Sequence, residues 1–311
     1  MRLVGCMAVR NEAWCLGLTL RAALQWCDEM VVYLHHACTD DESQRIVRDV
    51  FDETPTPRIT IIHQYDLEWR EMQHRQTMLQ EARRRGATHI AIVDADELLT
   101  GNLLCRPDEY LTCSHGCIKG KLDDMPKGSC LQLPMYQLRG SLDRYHANGI
   151  WGNRWLSVAF QDDPRLSWSG DKFHSREPQG IALTPYRPIQ HGQGGSFHLW
   201  GVSERRLRAK HALYKVTERL RWPSKPAGEI DRMYNLWRSP GDCAGYGNQE
   251  WTKPWTFADV PREWWDPYQK ELLDHLDPVA FSEPWQEAEV RRLVAEHGAE
   301  TFKGLDLFGV V

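Results

Sequence analysis

The chain has 311 residues, 41% of them hydrophobic, enough to bury a full-sized core in one large domain or a domain with an extension. Its 38 basic against 43 acidic residues leave a net charge of −5, which excludes a chain-wide clamp for a polyanion. No stretch approaches the roughly 18 apolar residues that span a bilayer, and the start Met1-Arg2-Leu3-Val4-Gly5-Cys6 lacks a long apolar run, so neither membrane insertion nor secretion is expected.

Nine cysteines, an odd number, with no Asn-x-Ser/Thr acceptor, lead us to expect a reducing cytoplasm rather than a disulfide scaffold. Fourteen tryptophans signal either an aromatic-rich core or flat stacking surfaces.

Apolar β-rich runs occupy 3–9, 30–34, 59–63 and 89–93, at the spacing of successive βαβ units. Amphipathic helical patterns fill the gaps: 14–26 with Leu16, Leu20, Ala23 and Leu24; 41–51 with Ile46, Val47 and Val50; 69–85 with Met72, Met78, Leu79 and Ala82. Thr39-Asp40-Asp41-Glu42 offers a capping residue and an acidic first turn to the second of them. The alternation predicts an α/β fold around a mostly parallel sheet, whose chemistry lies beyond the carboxyl ends of its strands. Those ends carry Arg10-Asn11-Glu12, His35 to Asp41, Gln64-Tyr65-Asp66 and Asp94-Ala95-Asp96-Glu97. One polar loop is ordinary, but four on one sheet edge favour a site.

Three carboxylates within Asp94-Ala95-Asp96-Glu97, at the end of a buried strand, repel one another unless a cation or charged ligand offsets them. Mn²⁺ or Mg²⁺, held by one or two carboxylates and substrate phosphates, is the natural partner.

Met7-Ala8-Val9-Arg10-Asn11-Glu12-Ala13, a second strand running into Ala37-Cys38-Thr39-Asp40-Asp41, and His89-Ile90-Ala91-Ile92-Val93-Asp94-Ala95-Asp96-Glu97 together resemble the GT-A nucleotide-sugar glycosyltransferases of the family 2 type. The resemblance covers about the first 100 residues and recurs at Gly195-Ser196-Phe197-His198-Leu199-Trp200. It implies that Arg10, Asn11, Glu12 and Arg75 lie beside the nucleotide and that Asp94 faces the ribose or the metal. It further implies that Asp96 binds the cation and that His198 completes the metal site. Where the family has an acidic residue ending the second strand, His35 and His36 stand here. A UDP-sugar is the expected donor.

Residues 134–187 are expected to carry the acceptor side. Inversion by a single displacement needs a carboxylate to accept the acceptor's proton. The candidates are Asp143, Asp162, Asp163, Asp171 and Glu177; Asp171, in Trp168-Ser169-Gly170-Asp171-Lys172-Phe173, is preferred because it sits in a turn among aromatics. Cys105, Cys113, Cys117 and Cys130 suggest free thiols or a small structural Zn²⁺ site.

Residues 203–222 read as a helix rich in Arg and Lys, which could meet phosphate groups or present a solvated face. The segment 223–247 reads as a mobile loop or lid, 251–265 as aromatic and irregular, and 284–298 as an amphipathic helix.

The expected organisation is a GT-A (Rossmann-like) core at 1–202 and a Trp-rich helical extension at 203–311. The core comprises a nucleotide-sugar and metal half at 1–100, a cysteine-containing insertion at 101–130 and an acceptor half at 131–202. The expected activity is hexosyl transfer to a saccharide or to a hydroxylated base in DNA. A nucleotidyltransferase and a non-catalytic nucleotide-binding protein are the competing classes. Arg10-Asn11-Glu12-Ala13 is not the Gly-rich loop that nucleotidyl transfer usually places after the first strand.

Overall fold

A computed structural model describes residues 1–36, 42–54, 58–66, 68–105, 116–171, 175–235, 238, 253–266, 268, 270–276 and 284–311. The elements in chain order are β1 (Leu3–Val9), α1 (Ala13–Leu24), β2 (Glu29–His35), α2 (Ser43–Glu53), β3 (Ile59–Gln64), α3 (Glu71–Arg84), β4 (His89–Ile92), β5 (Glu97–Leu99), α4 (Ile118–Asp123) and β6 (Ser129–Gln137). They continue with β7 (Arg144–His146), α5 (Gly149–Gly152), β8 (Arg154–Gln161), β9 (Thr184–Tyr186), β10 (Ser196–His198), α6 (Glu204–Arg221), α7 (Ala227–Tyr234), β11 (Phe257–Asp259), α8 (Lys270–Leu273) and α9 (Trp285–His297).

The chain divides into two compact units. The first is Met1–Met135 with Trp155–Phe197 and Pro261–Asp277; the second is Tyr136–Arg154 with His198–Val260 and Pro278–Val311. This partition is discontinuous in sequence.

The first unit is built on a nine-stranded sheet in the order β3-β2-β1-β4-β8-β6-β10-β5, with β9 paired to β6. β1 runs parallel to β2 and β4, β2 parallel to β3, and β8 antiparallel to β4. The architecture is therefore the expected α/β one, a mostly parallel sheet flanked by helices. α3 packs on β1 and β2 by inserting Met72, Met78, Leu79 and Ala82 among Val4, Cys6, Val31 and Tyr33. The alternate residues Leu3, Met7, Met30, Val32 and Leu34 point the other way and are equally buried. Burial on both faces is why these strands read as unbroken apolar runs.

The capping run Thr39-Asp40-Asp41 lies outside the described residues; α2 follows Glu42, whose side chain makes no capping bond.

In the second unit α6 packs against α7 and α9 around Ala212, Val216, Val290, Val294, Phe302 and Val310. Ser203 caps α6 by accepting a hydrogen bond from the Arg206 N–H, as Ser, Thr, Asp and Asn do at helix starts. The segment expected to be a loop at 223–247 contains α7, docked by the fully buried Ile230. The segment expected to be irregular at 251–265 contains β11, antiparallel to β7 with Phe257 opposite His146. Both elements are too short to show a period; a partner across space creates them.

Trp14, Trp26, Trp168, Trp200 and Trp264 are buried, so much of the tryptophan content serves packing. No helix among the described residues is long and apolar enough to cross a membrane.

Candidate active site

β1 ends at Val9, and the chain turns sharply through Asn11, whose φ of 55° is left-handed. Asn tolerates that region better than most residues, yet it still carries strain. Asn11 is 3% exposed, and both its amide nitrogen and its amide oxygen lack a hydrogen-bond partner. Burying an unsatisfied amide costs on the order of 1–3 kcal/mol, a cost placed here at the end of a strand. Glu12 is fixed next to it: the Trp14 indole N–H donates to its Oε2 at 2.6 Å, and its own N–H donates to the Ser43 hydroxyl.

The acidic turn after β4 is held from below by α1. The Thr19 hydroxyl donates to the Ala95 carbonyl at 2.7 Å, and the Cys15 thiol lies 3.2 Å from the same oxygen. Asp96 and Glu97 are buried, while the Asp94 carboxylate is 38% exposed.

Two arginines compensate the turn. Arg75, from α3, reaches Asp94 Oδ1 at 3.3 Å and Glu71 at 3.0 Å. Arg176 bonds Asp94 Oδ2 at 2.6 Å and Glu97 at 2.9 Å, and donates to the carbonyls of Ile92 and Ser157. Burial works against the Arg176 charge, but Asp94 and Glu97 outweigh it and raise its pKa. Burial also pushes the Glu97 carboxyl up; Arg176 opposes that shift, and Asp94 and Asp96 add to it.

The basic side of the same edge is crowded too. His74, on α3, is driven down to about 3 by burial, with His35, Arg10 and Arg75 adding to the effect. The ring therefore stays neutral, stacked on Tyr33 at 4.5 Å and edge-on to Trp69. His35 is buried beside Trp69 and His74, whereas His36 stacks on His63 and on Tyr65, which is 72% exposed. Where the resemblance implies a carboxylate, this chain thus presents a set of aromatic rings.

His198 belongs to the second unit. Its Nδ1 lies 2.9 Å from Gln137 Oε1, which also accepts the Trp200 indole N–H. An amide oxygen only accepts, so Nδ1 carries the ring proton and Nε2 is the basic nitrogen, the tautomer a metal-binding histidine uses.

Among the described residues no three or more His, Cys, Asp or Glu side chains form a ready ion cage. This bears also on the cysteines. Cys113 lies outside the described residues, Cys105 and Cys117 bring their sulfurs to 2.7 Å, and Cys130 is buried in β6. Burial pushes the Cys130 thiol up to about 11. The zinc site expected from these four cysteines therefore gains no support.

Of the acceptor-side carboxylates, Asp162 is taken by Arg83 and Asp163 by Arg165, the latter two groups both on the surface. Asp143 is an exposed residue of the second unit. Asp171 is exposed and acts electrostatically on Arg70. Glu177 accepts from Ser157 at 2.6 Å and from Gln132 at 3.0 Å. Sequence reading singled out Arg75 and missed Arg176, because nothing local marks an arginine whose partner Asp94 lies 82 positions away.

No family model and no curated protein matches the chain. Among solved structures, it is similar to S. aureus TarS 1–349, with 10% identity over 97% of this chain and 90% of that one and a TM-score of 0.42. It is also similar to mannosyltransferase PcManGT from Pyrobaculum calidifontis in complex with GDP-Man and Mn²⁺, with 12% identity over 95% and 86% and a TM-score of 0.42.

Proposed function

We propose that this chain is a metal-dependent glycosyltransferase that moves a sugar from a nucleotide-diphosphate sugar to a hydroxyl acceptor with inversion. The observation that carries this reading is the turn Asp94-Ala95-Asp96-Glu97, compensated by Arg75 and Arg176 at the carboxyl end of β4. The strained and unsatisfied Asn11 stands at the end of the neighbouring strand β1. This combination suits an anionic, hydrogen-bonding ligand that needs both signs of charge.

The donor set fits a hard cation. Its oxygens come from carboxylates, which suits an ion that keeps waters and takes part of its shell from the diphosphate. Asp96 is the principal anchor, and Asp94, whose oxygens meet Arg75 and Arg176, faces the ribose or the metal. When bound, the cation supplies Lewis-acid stabilisation of the diphosphate leaving group.

Arg10 and Arg75 meet the phosphates, Glu12 and Asn11 orient the nucleoside, and Arg176 holds Asp94 and Glu97 in place. The His36, His63 and Tyr65 rings offer the base a stacking surface. For the acceptor, a saccharide is the first class to test and a hydroxylated DNA base the second, because the basic groups of α6 are largely spent on internal partners.

The test is thermal stabilisation by UDP-glucose, GDP-mannose and related donors with and without Mn²⁺. A metal-dependent rise with at least one donor is expected; no rise with any donor sinks the reading. Asp96→Ala is expected to abolish donor hydrolysis with an unchanged far-UV circular dichroism spectrum, and unchanged hydrolysis refutes the metal role.

A further inference from the structure

We infer that Glu177, rather than Asp171, is the general base that takes the proton from the acceptor hydroxyl. This rests on the glycosyltransferase reading and deepens it. β8 is antiparallel to β4, with His89 opposite Gln161 and Ala91 opposite Ala159. Continuing that register sets Ser157 beside Val93, at the end of the strand that delivers Asp94. Arg176 bridges the two, donating from Nε to the Ser157 carbonyl and from Nη1 to Asp94. The next residue in the chain is Glu177, which returns to the Ser157 side chain. One serine and one arginine therefore tie this carboxylate to the acidic turn.

Its surroundings suit a base. Glu177 is exposed, and both groups that hold it are neutral: the Ser157 hydroxyl and the Gln132 amide bond the same oxygen, Oε1. Among the described residues, no hydrogen bond to the second oxygen, Oε2, is found. Among the described residues no arginine pairs with this carboxylate, in contrast to Asp162 and Asp163.

Its position is also determined. Arg187 donates from Nε to Gln132 Oε1 at 2.8 Å, so the Gln132 NH₂ must face Ser157 and Glu177. Arg187 in turn lies over the Trp155 ring at 4.7 Å, and Trp155 shares a face of β8 with Ser157. The segment after Glu177 is pinned where Gln179 and Ser167 exchange backbone bonds. It turns through Gly180, φ 109°, where a Cβ would come within 1.9 Å of the Arg165 carbonyl oxygen.

In the step assigned to it, Glu177 accepts the acceptor's O–H proton as that oxygen's electron pair forms the bond to the anomeric carbon. The bond from that carbon to the diphosphate oxygen breaks, and its electron pair leaves with the diphosphate. General bases of this kind contribute roughly 10²–10⁴-fold.

The probes are UDP-glucose and GDP-mannose with Mn²⁺, water serving as acceptor and sodium azide as an alternative nucleophile that has no proton to lose. Glu177→Gln is expected to keep the donor-induced thermal shift and to lose donor hydrolysis by about 10²–10⁴-fold. Azide is expected to restore nucleotide diphosphate release and yield the glycosyl azide. Hydrolysis within about twofold of the parent overturns the inference, since a general base is worth far more. So does loss of the donor shift, a loss that azide does not restore, or the same azide-rescued loss appearing in Asp171→Asn instead. If the parent chain shows neither shift nor hydrolysis with any donor, the donor reading itself falls and takes this inference with it.

Discussion

The acidic turn Asp94-Ala95-Asp96-Glu97 and the basic helix α6 are two concentrations of charge that look equally ligand-seeking in the sequence, and the fold treats them differently. On α6, Arg205 pairs with Glu287 through two bonds of 2.7 and 2.8 Å, and Arg208 pairs with Glu204. Arg219 donates to the carbonyls of Pro223 and Lys225, and Arg206 is buried. Lys215, with no exposed surface, is met by Asp231, Asn235 and the Asp306 carbonyl. Burial pushes its ammonium pKa down and Asp231 opposes this, as in a structural ion pair. The acidic turn meets Arg75 and Arg176, and it adjoins an amide at Asn11 that no described group satisfies. Charge density alone does not make a site; strain and unmet hydrogen bonds beside it do.

Removing the central cation of each region probes that contrast most strongly. Arg176→Leu leaves the buried Glu97 without its partner and is expected to destabilise the chain by about 3–5 kcal/mol in urea, whereas Lys215→Met takes the cation from a half-buried Asp231 and is expected to cost less. Only Arg176→Leu should also abolish donor-induced stabilisation when both are compared under folded conditions. Equal loss of donor binding in Lys215→Met would erase the distinction between the two regions.

The next effect is on pH dependence. His74 in the first unit and His146 and His211 in the second are each lowered from 6.5 to about 3, chiefly by burial. The folded chain therefore binds fewer protons than the unfolded chain between those values. The stabilisation is complete above pH 6.5 and is lost as pH falls toward 3. Each histidine steepens the loss by up to about 1.4 kcal/mol per pH unit. His211→Gln should flatten the slope of denaturation free energy between pH 6 and 4 without changing the donor-induced shift at pH 7.5; an unaltered slope refutes the buried neutral ring.

The smallest stability effect is expected where function should suffer. Asn11→Gly relieves the left-handed strain and removes the unsatisfied amide, so stability should hold or rise by up to about 1 kcal/mol. Donor-induced stabilisation should fall. A large loss of stability would show that Asn11 serves the fold instead.

Much of the first unit was legible before any coordinates. The run 3–9 is β1 residue for residue, and the first three helical patterns differ from α1, α2 and α3 only at their ends. This follows from burial on both faces, which leaves an unbroken apolar signature. The capped helix α6 and the tail helix α9 were legible for the related reason that one apolar face recurs every 3.6 residues. The strand ends carrying Asn11, Asp94 and Asp96 were legible as a polar edge. Arg176 was not, and neither was the hold of Ser157 and Gln132 on Glu177, because those partners are 20 and 45 residues away.

The residues alone determined the fold class, the succession of strands and helices through β4, and the edge where polar chemistry gathers. Each is written in local periodicity and in where it stops. Only the tertiary structure decided which charges remain for a ligand. An arginine becomes an internal brace or part of a site according to what lies across space from it. Only folding makes that choice, pairing Lys215 with Asp231 and bringing Arg176 to Asp94.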